Sequence, residues 1–209
     1  MSLFYRIAYT IGFTPWEGAM GQATVVQQIA SMFDREQQGK QLPFGRVLDL
    51  GCGSGIHAVN LALRGWEVTG VDISPKALAR ARERAAEAGV EVKFLEGDLT
   101  NLQALDLGSN FNLILDFGAV HGMTDAQREA TARGVTAVAA DDAALLMLAF
   151  EPGSRGPLPR GMTAADAEAV YSGWKVTDDV LQDSQLPFML KRTGANPHWF
   201  RLQRGGGAA

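Results

Sequence analysis

A chain of 209 residues with 46% apolar side chains has the material for one sizeable buried core. Its net charge of −4, with no long basic run, argues against tight nucleic-acid binding through phosphate neutralisation. One cysteine excludes an internal disulfide framework, and no apolar run approaches the roughly 20 residues needed to span a bilayer.

Leu3, Phe4, Ile7, Ala8 and Ile11 form a helical stripe that Gly12 ends. This segment lacks a signal peptide's charged start and small-residue cleavage site, so a cytoplasmic protein with no membrane partner is expected. A turn with two aromatics, Phe13-Thr14-Pro15-Trp16-Glu17-Gly18, precedes a second helix predicted over Gln22–Asp34, with Val25, Val26, Ile29 and Phe33 on one face. Residues 35–44 are polar, with Gly39 and Pro43, and read as a linker.

From Arg46 strands and helices alternate. Strands are predicted at Arg46–Leu50, Glu67–Val71, Val90–Leu95, Phe111–Leu115 and Ala143–Phe150, with helices between. Ser74 is placed to N-cap a helix whose first turn takes Pro75 and which Gly89 stops. Thr124 with Gln127 forms a capping box for a helix to about Ala139. The wholly apolar run Ala143–Phe150 suits the middle of a parallel sheet. Three prolines and three glycines make 151–161 a long loop. A helix over Ala164–Tyr171, a strand at Trp174–Leu181 and a closing antiparallel strand at Pro197–Gln203 complete the pattern. The expectation is an α/β, doubly wound, mostly parallel seven-stranded sheet with an antiparallel last strand and an N-terminal helical cap. One domain is expected over 1–209: a cap at 1–45, the core at 46–204 and a tail at 205–209.

Between the first strand and its helix lies Asp49-Leu50-Gly51-Cys52-Gly53-Ser54-Gly55. A glycine turn at a strand-to-helix corner aims free N–H groups at one point, where a nucleotide-like ligand can sit. The dinucleotide pattern needs a glycine at its sixth position, which here is Ile56. The spacing Asp49-x-Gly51-x-Gly53-x-Gly55 instead resembles motif I of the class I S-adenosylmethionine-dependent methyltransferases, a Rossmann-like family. The resemblance covers about Arg46 to Glu151. It implies that Gly51, Cys52 and Gly53 line the cofactor loop and that Asp72, followed by Ile73, holds the ribose hydroxyls. It further implies that Asp98 and Leu99 lie at the adenine, and that Asp116 faces the methionine part and the substrate. Thr14-Pro15-Trp16-Glu17-Gly18 is similar to an element of the thiol, thiopurine and halide methyltransferase group, in which the Trp region closes over the cofactor. That implies a cofactor contact for Trp16. Cys52, between two glycines, reads as a packing residue and not a catalytic thiol.

His121, in Gly118-Ala119-Val120-His121-Gly122 after the fourth strand, stands where such sheets bind substrates. A neutral imidazole there can take a proton from a hydroxyl, thiol or ring N–H, and a structural loop histidine is the competing reading. His57 and His198 read as structural. No His/Cys/Asp cluster has metal-ligand spacing, so no metal is expected. The signatures of amino-methylating DNA enzymes, cytosine-C5 enzymes and magnesium-dependent catechol enzymes are absent. The resemblance then implies methyl transfer from S-adenosyl-L-methionine to a small-molecule thiol, hydroxyl or ring nitrogen, aromatic or a thiol, leaving S-adenosyl-L-homocysteine (SAH). In-line positioning does most of this work. The rivals are a non-catalytic S-adenosylmethionine-binding protein and a nicotinamide-dependent oxidoreductase. The sequence is compatible with a monomer or a homodimer.

Overall fold

All seven predicted strands form, and they join a single sheet. The computed structural model describes residues 18, 20–153, 159–181 and 196–205. Its elements are α1 (Ala23–Gln37), β1 (Arg46–Leu50), α2 (Ile56–Leu63), β2 (Glu67–Asp72), α3 (Pro75–Ala88), β3 (Lys93–Glu96) and β4 (Phe111–Phe117). There follow α4 (Asp125–Val138), β5 (Ala139–Phe150), α5 (Ala164–Val170), β6 (Trp174–Leu181) and β7 (Pro197–Arg204). Short 3₁₀ turns stand at Leu99–Ala104 and Val120–Gly122. The predicted helix over Leu3–Ile11 and the Thr14–Glu17 segment, Trp16 included, lie outside the described residues.

The strand order is β3-β2-β1-β4-β5-β7-β6. Strands β1 to β5 pair in parallel, and β7 lies antiparallel between β5 and β6. This is the expected α/β class. The order reverses between β1 and β4, and ligands bind at the carboxyl ends of strands at such a switch point. One sheet face packs Leu48, Leu50, Ile114, Leu145, Tyr171 and Trp174 against the α4–α5 side. The other packs Val47, Leu113, Leu115, Leu146 and Trp199 under α1, α2 and α3. No helix of the described residues is long and apolar enough to cross a membrane.

The local signals behave as their chemistry dictates. Ser74 accepts from the Ala77 amide with Pro75 in the first turn of α3, Gly89 ends it in a left-handed conformation, and Thr124 with Gln127 closes both arms of a capping box. Strand β3 begins at Lys93, not Val90, because the Val90 amide donates to Ala85 O and belongs to the helix cap. Strand β5 begins at Ala139, four residues early, because α4 passes into it with no intervening loop. Its first carbonyls are taken by side chains of β7: Arg204 donates to Ala139 and Ala140, and Gln203 to Asp142 and Ala143.

Helix α1 buries Val25, Ile29, Phe33 and Glu36, while Val26, expected on that face, is 50% exposed. The stripe follows the i, i+4 rows, from which Val26 is turned away. Glu36 can be buried there because Arg201 of β7 meets it with two parallel bonds of 2.6 and 3.1 Å. Arg35 pairs with Asp178 of β6, and Arg64 ties Asp34 and Gln37 to the end of α2.

Candidate functional site

Gly51, Gly53 and Gly55 have φ of 68°, 53° and 74°, left-handed values that a side chain would strain. The turn coils tightly enough to satisfy itself. The Gly51 and Cys52 amides both donate to Val71 O, Gly55 donates to Cys52 O, and Gly53 donates to Asp72 Oδ2 at 2.9 Å. The expectation of free N–H groups converging on a ligand is therefore corrected for these four amides. What the turn offers is room and the carboxylates around it.

Those carboxylates come from three neighbouring strand ends. Asp72, at the end of β2, is 9% exposed and binds the glycine turn through Oδ2 and the Ser74 amide through Oδ1 at 2.8 Å. Asp116, near the end of β4, is fully buried. Its Oδ1 accepts from the Ala119 and Val120 amides at 2.8 and 3.1 Å and so shapes the turn that carries His121. Asp49, inside β1, is 3% exposed. Burial first, then the Asp72 and Asp116 charges, push its carboxyl up to about 7, against a hydrogen bond from the Ala58 amide. Burial raises Asp116 to about 6 despite three amide hydrogen bonds and the Arg128 guanidinium. Asp49 Oδ2, Asp116 Oδ2 and the hydroxyl of Ser54 in the glycine turn are buried with no protein hydrogen-bond partner. Buried polar atoms of this kind mark a site for water or a ligand.

Other predicted residues fall around this corner. Cys52 is 8% exposed and lies over Gly70 of β2, where an added Cβ would stand 2.9 Å from its sulfur. Burial, then Asp49 and Asp72, push its thiol well above the ordinary range, so it is no nucleophile. Ile73 is partly buried after Asp72. Asp98 is exposed, and its Oδ1 accepts from the amide and hydroxyl of Thr100, starting a turn whose Leu99 is buried. Among the described residues no group of three or more His, Cys, Asp or Glu is arranged to hold a metal ion.

His121 is 3% exposed, and its Nδ1 accepts from the Phe150 amide at 2.9 Å. An amide can only donate, so a neutral His121 carries its proton on Nε2. The imidazole is then a donor, and the general-base reading is corrected on that ground. Nε2 lies on the Gly118 side, 3.7 Å from where a Cβ on that glycine would stand. Arg128 of α4 fixes this turn from behind, donating to the carbonyls of His121 and, at 2.7 Å, Gly161. Nothing in the sequence distinguishes Arg128 from the other charged residues of α4. Asp49 was visible as the first residue of the glycine motif, and its place between Leu48 and Leu50 in a buried strand was the signal for a site carboxylate.

Phe117 follows Asp116 and is held on three sides. Its ring meets His57 and Trp199 edge-on at 4.9 Å and lies parallel to Phe33 at 6.4 Å. Burial holds His57 down to about 4, so this ring is neutral at pH 7. Two cavities lie outside the acidic corner. One of about 550 Å³ opens among Glu67, Thr69 and Lys93 at the amino ends of β2 and β3, the wrong end of the sheet for a ligand of this fold. The other, about 320 Å³, lies between α1 and the β5–β7–β6 strands.

A family model described as a methyltransferase domain matches residues 47–142. A 2-heptyl-1-hydroxyquinolin-4(1H)-one methyltransferase of Mycobacteroides abscessus is 31% identical over 172 residues, which cover 79% of this chain and 70% of that protein. A ubiquinone biosynthesis O-methyltransferase of Ruegeria pomeroyi is 35% identical over 104 residues, or 48% of this chain and 40% of that one. The magnesium protoporphyrin IX methyltransferase of Synechocystis PCC 6803, solved with bound SAH, matches with a TM-score of 0.71 at 18% identity, over 98% of this chain and all of that one. That last likeness concerns the fold.

Proposed function

The chain belongs to the class I S-adenosylmethionine-dependent methyltransferases, and from that premise we propose that it methylates a ring-borne hydroxyl of a small planar acceptor. The observation that carries the reading is the charge of the corner. Three buried carboxylates, Asp49, Asp72 and Asp116, surround a glycine turn whose amides at 51, 52, 53 and 55 are already bonded. That surrounding repels a dinucleotide's diphosphate and favours S-adenosylmethionine, which carries a sulfonium and an α-ammonium.

The residues present fit that cofactor. The unpartnered Asp49 Oδ2, Asp116 Oδ2 and Ser54 Oγ are acceptors where its cationic methionine part would lie. Asp72, oriented at the strand end by the Gly53 and Ser74 amides, is the carboxylate for the ribose hydroxyls. Gly51, Cys52 and Gly53 supply the close approach, Ile73 and Leu99 apolar walls, and Asp98 the adenine edge.

The bound cofactor supplies an already electrophilic methyl group. Held at this corner by Asp49, Asp72 and Asp116, it would give that methyl to an ionised acceptor oxygen, the carbon–sulfur electron pair staying with sulfur as SAH. An acidic N-hydroxyl or phenol ionises in water, so the protein needs no buried base. Its task is to hold that oxygen in line with the methyl carbon and the sulfur. Phe117, held by three rings, is a rigid surface for the acceptor's plane. The hydroxyl reading draws on the two relatives, one named for a hydroxyquinolone and one as an O-methyltransferase.

Calorimetry with S-adenosylmethionine and with NADH, followed by a labelled-methyl panel of thiols, phenols and N-hydroxy heterocycles, tests this. Binding of the first cofactor alone and label in the hydroxylated heterocycles are expected. NADH binding without S-adenosylmethionine binding would overturn the reading. Cofactor binding with no methyl release across the panel would leave a binding protein.

A further inference from the structure

Burying Arg128 is costly. It is 6% exposed, among the described residues no carboxylate pairs with it, and its Nε has no protein hydrogen-bond partner. Burial, then the Arg160 charge, lower the pKa of its guanidinium, and the Asp125, Asp166 and Asp116 charges offset part of this. Packing alone would be served as well by an apolar side chain of similar volume.

What the charge does is join two segments. Arg128 Nη2 donates to His121 O, in the turn after β4, and to Gly161 O, at 2.7 Å, where the chain returns from the 151–161 loop. Strands β4 and β5 are parallel neighbours, so both segments stand at the carboxyl edge of the sheet. The returning segment is closed onto the end of β5: Met162 donates to Phe150 O at 2.8 Å and Gly153 to Arg160 O at 3.0 Å. Gly161 runs so close to it that an added Cβ would stand 2.3 Å from Glu151 O, on a φ of 84°. Phe150 in turn meets the other segment, its amide donating to His121 Nδ1. Arg128 spans the whole seam from behind, and Arg160 adds a surface tie to Met123 O and Asp125.

On the methyltransferase reading, on which this inference rests, the cofactor lies over the ends of β1, β2 and β3 and reaches β4 with its methionine part. The acceptor then comes in over β4 and β5. We propose that Arg128 is the positioning residue for that acceptor: by holding the His121 and Gly161 carbonyls together it fixes the wall that aligns the acceptor's oxygen with the methyl carbon and the sulfur. It touches neither substrate nor cofactor and acts through the two backbone segments. In-line transfer is sensitive to this alignment, and a shift of about 1 Å can lower the rate roughly a hundredfold.

The test is Arg128→Met, which keeps an unbranched stem and removes the donors, beside Arg128→Lys. Both are followed in the full chain with labelled S-adenosylmethionine and 1-hydroxypyridin-2(1H)-one as the probe, with the panel of thiols, phenols and N-hydroxy heterocycles behind it, and by calorimetry with SAH. In Arg128→Met, kcat falls by roughly ten- to a hundredfold, while the acceptor's KM and the Kd of SAH stay within about twofold. An ammonium keeps the charge without the reach of a guanidinium, so Arg128→Lys loses roughly three- to tenfold and stands between. If Arg128→Met does not fold, Arg128→Lys decides by the same split. Wild-type kcat in either variant would overturn the positioning role. So would a loss of SAH affinity that parallels the loss of kcat, which is the mark of general damage to the fold. A wild-type protein that binds SAH but labels neither the probe nor the panel fails the parent reading instead, and the role of Arg128 falls with it.

Discussion

With its carboxyl pushed up to about 7 from an ordinary 3.8, Asp49 binds a proton more tightly in the native chain than in the unfolded one. The sign follows from linkage: between those values the folded state holds more protons, so stability falls as pH rises from about 4 to 7 and is flat above. Asp116 adds the same trend up to about 6. Scanning calorimetry of the cofactor-free protein should show Tm lower at pH 8 than at pH 5, by on the order of 5–10 °C. A cationic ligand needs these groups ionised. Binding of S-adenosylmethionine at pH 6.5 is therefore expected to release protons, seen as a binding enthalpy that changes with the ionisation enthalpy of the buffer; no buffer dependence would remove Asp49 from the ligand. Asp49→Asn separates the two effects: a higher Tm at pH 8, and at least about tenfold weaker cofactor binding. The glycine motif displayed Asp49 in the sequence, but its raised carboxyl comes first from burial and then from the Asp72 and Asp116 charges, and only the fold supplies these. His121 was legible as a residue at the right strand end. Its donor character was not, since that is decided by the amide of Phe150, 29 residues away.

Elements were most legible where a side chain bonds its own backbone. Ser74, Gly89 and the Thr124–Gln127 box act within four residues, so spacing alone specifies them. Boundaries set by distant partners were not legible, as with the start of β5, whose carbonyls are met by Gln203 and Arg204, 60 and 65 residues further on. The junction of β1 and α2 is the least forgiving. A Cβ at Gly55 would meet Ala81 Cβ at 2.9 Å and Phe94 at 3.1 Å, on a φ of 74°. Gly55→Ala should cost about 2–4 kcal/mol in denaturant unfolding; a loss under about 0.5 kcal/mol would show that the corner can relax. Helix α1 depends on its ion pair. Glu36→Ala leaves Arg201 charged with 17% of its side chain exposed, and a loss of about 3 kcal/mol is expected by the same measurement.

For the whole molecule, the reversal of strand order between β1 and β4 places the acidic corner, and the alternation of strands and helices foretold that reversal only as a class of fold. The alignment of Phe117, Leu148, Trp199 and Val180 across four strands was not legible, because it depends on β7 entering between β5 and β6 with a register no local pattern encodes. This arrangement governs the order in which the two halves of the sheet come into being. Among the described residues strand β6 pairs with β7 alone, and β7 comes later in the chain, so that pairing waits during synthesis until residues 197–204 have been made. Strands β1 to β5 can pair among themselves before then, and with them the corner built by Asp49, Asp72 and Asp116. In nascent chains arrested before residue 197, hydrogen exchange should find the amides of β1, β2 and β4 protected and those of β6 unprotected, and β6 and β7 should gain protection together once the chain is complete.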